Sequence, residues 1–283
     1  MTEAPAILAP SRLAAEVLEE TGPSVRRFGA VNWLGFWTLY LREVRRFLKV
    51  AMQTVIAPVV TTLLFLAIFL LAFSGQRGAV SGVPFAAFLA PGLIMMAMMQ
   101  NAFANTTSSL MIAKIQGNIT DVLMPPLSAG ELTWGFALGG VTRGLMVGLA
   151  VGIAMVFVVH IEIFNWAMVL FHAVAASLML SVLGILAALW AEKFDHIAAV
   201  TNFLVMPLSF LSGTFYSVDR LPPAFHFIAT LNPFFYMIDG FRYGFIGHAD
   251  GSIVAGLVIL TVLNAALLAL VHVLFARGYK LKA

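Results

Sequence analysis

Six histidines and thirteen carboxylates could act as acids, bases or metal ligands in this chain, but their spacing suits none of those tasks. His160, His172, His196, His226, His248 and His272 are scattered, and no H-E-x-x-H pattern sets two of them one helical turn apart for a metal. No G-x-S-x-G stretch presents a nucleophilic serine. There is no Gly-Lys dipeptide, so the chain has no Walker A loop to cradle nucleotide phosphates. The lack of cysteine excludes disulfides, thiolate metal sites and cysteine nucleophiles. No catalytic residue and no metal site is read from this sequence. Arg143 is the one charge deep within a long apolar run, and a charge there faces protein or water. It could touch a substrate, but pairing with an acid or snorkelling to the cytoplasmic face is preferred.

What must position so few polar groups is a membrane. Hydrophobic residues make up 61% and charged residues 10% of the 283 positions, with a mean hydropathy of +0.97. A soluble domain carries about 25% charged residues. The net charge of +3 needs no nucleic acid to explain it, because membrane proteins gather Lys and Arg on their cytoplasmic flanks. A hydrocarbon core of about 30 Å takes roughly 20 apolar residues in a helix. Six runs qualify, at about 50–73, 85–104, 133–159, 166–190, 197–215 and 253–275. The expected fold is therefore an all-α polytopic membrane protein with six transmembrane helices. Residues 1–30 contain Glu3, Glu16, Glu19 and Glu20 and no apolar core before a cleavage site, so they read as a cytoplasmic tail.

Basic residues set the orientation. Arg12, Arg26, Arg27, Arg42, Arg45, Arg46 and Lys49 precede the first span, and Arg277, Lys280 and Lys282 follow the last. Lys114 and Lys193 lie in the second and fourth connections, whereas the first, third and fifth hold only Arg77, Arg220 and Arg242. Both termini are expected in the cytoplasm, as an even span count requires.

Three stretches carry more specific content. Residues 31–50 place Trp33, Trp37, Tyr40, Val44 and Leu48 at helical spacing, with Arg42, Arg45, Arg46 and Lys49 on another face. That is a basic amphipathic helix suited to the membrane surface. It could serve as an anchor or as an elbow that touches a cytosolic partner, and the residues favour the anchor. Residues 112–124 predict a short cytoplasmic helix between Ser109, a possible cap, and the Pro125–Pro126 stop. Its polar Lys114, Gln116, Asn118 and Asp121 alternate with apolar Ile115, Ile119, Val122 and Leu123, which suits docking on another protein or packing on its own membrane domain equally. The third span carries Gly135, Gly139, Gly140, Gly144, Gly148 and Gly152, a small-residue stripe better read as packing within one subunit than as a dimer seam.

The third stretch, 211–242, is apolar but cannot cross. Asp219 could cap a helix beginning near Pro222 and Pro223, and Asn232 with Pro233 could cap and start another. Each piece is about ten residues, or about 15 Å, half of the hydrocarbon core. Two such pieces make an external re-entrant hairpin between spans five and six. Asp239 and Arg242, three apart, could pair on its second arm.

Taken together, K-I-Q-G-N-I-T-D-V-L-M-P-P-L-S, P-L-S-F-L-S-G-T-F-Y-S-V-D-R-L-P-P and L-N-P-F-F-Y-M-I-D-G-F-R, in this order after a basic amphipathic helix, resemble the membrane subunits of ABC-2 type ABC exporters. The likeness runs from about Trp33 to the C-terminus, giving an ABC-2 type transmembrane domain at 31–283. Gly117, Asp121, Pro126, Leu127 and Ser128 match the family's cytoplasmic motif. Ser212, Gly213, Asp219, Leu221, Pro222, Asn232, Pro233, Asp239, Gly240 and Arg242 match its external one.

The resemblance implies a permease of the inner (plasma) membrane that forms a homodimer and binds two separate cytosolic P-loop ATPase subunits. No cofactor would bind this chain; ATP and Mg would bind the partner, and membrane lipid would surround the pair. Drugs, lipids or lipid-linked saccharides would be exported by alternating access. The implied coupling residues are Ile112, Lys114, Gly117, Asp121, Met124 and Pro126 of the coupling helix, with Arg42, Arg45 and Arg46 of the connecting helix; the turn at 192–196 would be a lesser contact. Spans two and five would line the path through Met95, Met99, Asn101, Asn202, Phe203 and Met206. Asp219, Pro222, Asn232, Pro233, Asp239 and Arg242 would belong to an external gate. The alternative is a secondary transporter or lipid flippase not powered by ATP. Such a protein would usually need ionisable groups midway through the membrane, and only Arg143 qualifies.

Overall fold

The computed structural model describes residues 29, 31–73, 79, 80 and 82–280. The expected tail at 1–30 lies outside the described residues except for Gly29, and so do Arg77 and Lys282. Among the described residues from Asn32 onward the regular elements are helices, apart from a short hairpin pairing Ala79–Val80 with Val83–Pro84. Among them, six helices are long and apolar enough to cross a membrane.

Helix α1, Trp33–Leu48, is capped by Asn32, whose side chain accepts from the Gly35 amide. It buries Leu39, Glu43 and Phe47, spaced four apart on one face, and leaves Trp33 and Trp37 exposed. A π-helical turn at Met52–Ile56 leads into α2, Ala57–Phe73, the first span. The second, α3, covers Phe85–Ile115. At 1.5 Å per residue its 31 residues reach about 46 Å, well beyond a hydrocarbon core. Span two thus continues eleven residues past the expected end at 104, because Asn105, Thr106, Thr107 and Ser109 are buried against neighbouring helices rather than left at a surface.

That extension changes the expected 112–124 helix. Ser109 lies inside α3 and caps nothing; α3 stops at Gln116, Gly117 turns with φ +72°, and a separate five-residue helix, α4, spans Ile119–Leu123. A left-handed residue ends a helix and glycine adopts it without cost, so 112–124 is two pieces joined at Gly117. Span three, α5, is Ala129–Val156 and opens with a capping box between Ser128 and Glu131. Span four, α6, is Trp166–Trp190. Span five is built from α7 (Phe194–Val200), a π-turn at Thr201–Val205 and α8 (Met206–Leu211). Two short helices follow, α9 (Pro223–Leu231) and α10 (Pro233–Ile246), before span six, α11 (Ile253–Ala276).

The core gathers around α3, which packs on α5, α6 and α10. The glycines of α5 let these helices close on one another. A Cβ at Gly139 would lie 2.6 Å from Glu43 Cβ on α1, and one at Gly144 would lie 2.8 Å from Ser177 Oγ on α6. Gly135 likewise meets Leu39, and Gly140 meets Ser181. The stripe therefore serves packing inside the subunit, as expected. Leu39 at Gly135 and Glu43 at Gly139 also show α1 advancing alongside α5, four residues for four. At the start of α5, Glu131 accepts from the amides of Asn32 (2.5 Å) and Ser128 (2.7 Å), tying the entry of α1 to it.

Gly139→Val is expected to cost about 1–3 kcal/mol by overpacking and to lower the melting temperature in detergent. Gly152→Val, where the nearest neighbour of the new Cβ is Ile94 Cδ1 at 3.9 Å, should leave it unchanged.

Candidate functional site

At the end of the bundle where α3 terminates, a cleft of about 740 Å³ opens between α1 and the α3–α4 corner. Arg42, Arg45, Arg46 and Lys49 form one wall, and Ile112, Gln116, Asn118 and Asp121 the other. The cations are not equivalent. Beneath them lies Glu43, fully buried, whose Oε1 accepts from Arg42 Nη2 at 2.9 Å and from Ser109 Oγ at 2.7 Å. Its Oε2 accepts from Arg46 Nη2 at 3.2 Å. Arg46 also donates to the Asn105 carbonyl (2.7 Å), Asn105 Oδ1 (2.9 Å) and Ser108 Oγ (3.1 Å). Arg46 is thus engaged inward, and Arg42 lies 5.8 Å from the Phe136 ring centre. Arg45 and Lys49 are exposed and make no ion pair among the described residues.

Other residues expected at this surface divide the same way. Lys114 turns from the cleft and donates to the carbonyls of Ala188 (3.0 Å), Leu189 (3.2 Å) and Ala191 (2.6 Å), closing the last turn of α6. Met124 is 81% exposed at the end of α4. The Pro126 carbonyl accepts from Asn32 Nδ2 at 3.2 Å, holding the connection against the start of α1.

A second cavity, of about 390 Å³, separates α3 from span five and is lined by Asn101, Thr107, Ile197, Thr201 and Met206 among others. It brings Asn101 and Met206 together. Met95 and Met99 are instead completely buried in the core, and Asn202 and Phe203 are exposed on span five. Arg143 reaches this neighbourhood. Its Nη2 donates to Asn101 Oδ1 at 3.0 Å, while Asn101 Nδ2 donates to the Ala97 carbonyl at 2.9 Å. Arg143 thus has a neutral amide as its partner, and no acid pairs with it among the described residues.

At the opposite end of α3, the residues of 211–242 form a different arrangement from the one expected. Asp219 caps no helix. It sits in a 3₁₀ turn at Val218–Arg220, and the residue before α9 is Pro222, which offers no side-chain acceptor. Asn232 does cap α10, accepting from the Phe234 amide at 3.0 Å, while its Nδ2 donates to the Leu208 carbonyl and Ser212 Oγ. Pro233 takes the first helical position. Asp239 and Arg242 do not pair with each other. Asp239 accepts from the amides of Asp250 (2.8 Å) and Gly251 (2.9 Å), whereas Arg242 donates to the Gly213 carbonyl at 2.6 Å and lies 4.0 Å over the Phe88 ring. Two neighbouring loops supply better fixed partners than one turn of helix does. The two arms also differ, since α10 buries nine of its residues whereas α9 buries only Ala229 among its described residues.

Residues 35–246 match the sequence model of a family described as ABC-2 type transporter. The chain belongs to that family. It is 36% identical over 251 residues to a protein of Escherichia coli (strain K12) named inner membrane transport permease YadH, covering 89% of this chain and 98% of the relative. It is 27% identical over 227 residues to nodulation protein J of Rhizobium leguminosarum bv. viciae, covering 78% and 84%. A nodulation protein J of Neorhizobium galegae is 23% identical over 222 residues. With six apolar helices, this ABC-2 permease is a multi-pass inner-membrane transport protein.

Within the permease, Glu43 is the residue that reading the sequence missed. Its signal was present, since a carboxylate at the centre of the Leu39–Glu43–Phe47 stripe interrupts an otherwise apolar face. Arg42 and Arg46 are partly exposed, so losing Glu43 leaves them reachable by water. Ser109 Oγ, however, loses its acceptor, and the packed space beside Gly139 is emptied. A lost hydrogen bond to a charged group alone costs about 1.5–3 kcal/mol. Glu43→Ala is therefore expected to lower the melting temperature of the purified permease far more than Arg45→Ala, read by thermal unfolding in detergent.

Proposed function

We propose that this permease is the membrane subunit of an ATP-driven exporter, working as a homodimer with a separate cytosolic ATPase bound to each copy. The observation that carries this reading is the basic cleft. It presents cations (Arg45 and Lys49) that make no ion pair among the described residues, beside a short helix hinged at Gly117, at the end of the 31-residue α3. The chain has no phosphate-binding loop, so ATP and Mg would bind the partner. Docking at α4 and α1 would displace the α3 terminus, and α3 is one continuous helix, with Pro91 within it, whose Met95 and Met99 are buried in the core. Movement at one end would then pass along this helix toward the Phe88–Arg242 contact at the other.

In this reading α1 is the connecting helix at the cytoplasmic interface, α4 with the end of α3 is the coupling element, and both termini are cytoplasmic. Helices α9 and α10 dip in from the outer side and close the pathway there. The cavity between α3 and span five, with Asn101, Met206 and the nearby Arg143, belongs to the path of an amphipathic, lipid-like, lipid-linked saccharide or drug-type cargo. Its apolar walls beside a few amides and hydroxyls support such a cargo. Transport requires that the inward- and outward-facing states differ in affinity for it.

Pull-down of the solubilised chain from its native host should recover a P-loop ATPase, identified by mass spectrometry. Asp121→Lys and Gly117→Val should reduce that recovery; the second forces a side chain into a φ of +72°, costing about 1–2 kcal/mol at the joint. Recovery of the chain alone, with transport persisting in vesicles without ATP, would refute the reading.

The lack of native cysteine allows a direct topology test. A cysteine placed at exposed Phe227 should react with an impermeant maleimide in intact spheroplasts, and one at Met124 only after lysis.

A further inference from the structure

Two histidines that are far apart in sequence meet two aspartates beside α9. Asp219 lies in the 3₁₀ turn after span five, while His248 and Asp250 lie in the loop between α10 and α11. One ligand atom from each of these three residues falls within 4.8 Å of the others. His226 of α9 adds its Nε2 at 3.9 Å from Asp219 Oδ1. We propose that Asp219, His248 and Asp250 form a binding site for a divalent ion of the zinc class, with water in the fourth position.

The buried member anchors the argument. The Asp250 side chain is 2% exposed. Its Oδ2 accepts from the Val218 amide at 2.7 Å, while its Oδ1 lies 3.5 Å from His248 Nε2. That separation is too long for a good hydrogen bond. Two ligand atoms held tetrahedrally at about 2.0–2.1 Å from one zinc ion stand about 3.4 Å apart, so Asp250 and His248 already have the required spacing. The Asp219 side chain is 53% exposed and His248 46% exposed, and both can rotate to close the remaining distance while Asp250 stays fixed.

Charge points the same way. Asp219, Asp239 and Asp250 cluster here, and no lysine or arginine makes an ion pair with any of them among the described residues. Arg242 is close enough for its charge to act on Asp239 and Asp250, but its hydrogen bond goes to the Gly213 carbonyl and it lies over the Phe88 ring. Asp239 is already saturated by the amides of Asp250 and Gly251, which hold the loop carrying the ligands. An imidazole among the donors selects a transition-type ion, since Ca²⁺ and Mg²⁺ take oxygen ligands. A bound ion would staple the turn leaving span five to the loop entering span six, and the site stands without reference to what the permease carries.

The test uses the full chain, free of affinity tag, stripped with EDTA and held in detergent. Zn²⁺ is titrated against a competing chromophoric chelator, and the melting temperature is followed with and without the ion. One Zn²⁺ per chain and a raised melting temperature are expected. His248→Ala and Asp219→Asn should each weaken binding at least about tenfold, since even groups that only support metal ligands change affinity by 10–100-fold. Both residues are half-exposed, so the metal-free variants should melt like the parent, which separates lost binding from lost folding. His160→Ala, at an exposed pair with Glu162, should bind as the parent does. No stoichiometric binding, equal affinity in the parent and both ligand variants, or an equal shift with Ca²⁺ would overturn the proposal.

Discussion

A carboxylate withdrawn completely from water must be surrounded by donors, because an unpaired buried charge costs several kcal/mol. Glu43 imposes that condition on the whole basic end of this permease. Its oxygens draw in Arg42 and Arg46 from its own helix and Ser109 from α3, and Arg46 in turn reaches Asn105 and Ser108. Those bonds require α1 to lie close to α3 and α5, and the missing Cβ of Gly139 leaves room for the Glu43 stem. The result is an amphipathic helix locked to the bundle by charge, whose Arg45 and Lys49 make no ion pair among the described residues.

Helix α3 carries the consequence across the molecule. It is anchored at one end by the Glu43 network and by Lys114 on the carbonyls of α6. Near its other end, Phe88 supports Arg242, and Gly92 allows the Thr214 backbone to approach. Pro91 lies within α3 near that end, between Phe88 and the buried Met95, while Gln100, Ala104 and Ser108 face the cavity beside span five. One helix thus touches both the α4 corner and the Arg242 side chain of α10.

The two ends use different chemistry for related purposes. One concentrates arginines over a single buried glutamate; the other sets aspartates and histidines around loops that join short helices to the spans. Between them, the cavity between α3 and span five is apolar except for Gln100, Asn101 and a few hydroxyls, with Arg143 beside Asn101. A guanidinium held by an amide alone keeps its charge uncompensated within the bundle, unlike Arg46, whose charge is matched by Glu43.

Much of the architecture was legible in local sequence. Six apolar runs specified six spans, since lipid demands about 20 residues of satisfied helical backbone. The Asn232–Pro233 start of α10 and the α5 glycine stripe could likewise be read from neighbours within a few positions. The ends of helices and the partners of charges could not. Whether α3 stopped at 104 or ran to Ile115 depended on α1 and α6 burying its polar last turns, and Gly117 then split the expected 112–124 helix. Asp239 with Arg242, Asp219 as a cap and Lys114 on the coupling surface each looked plausible at helical spacing, yet each found its partners elsewhere. The physical reason is that hydrophobic periodicity is local and selects helices, whereas a charge takes whichever donors or acceptors folding brings near. Residues 43 and 105, or 219 and 250, become neighbours only when the spans have packed.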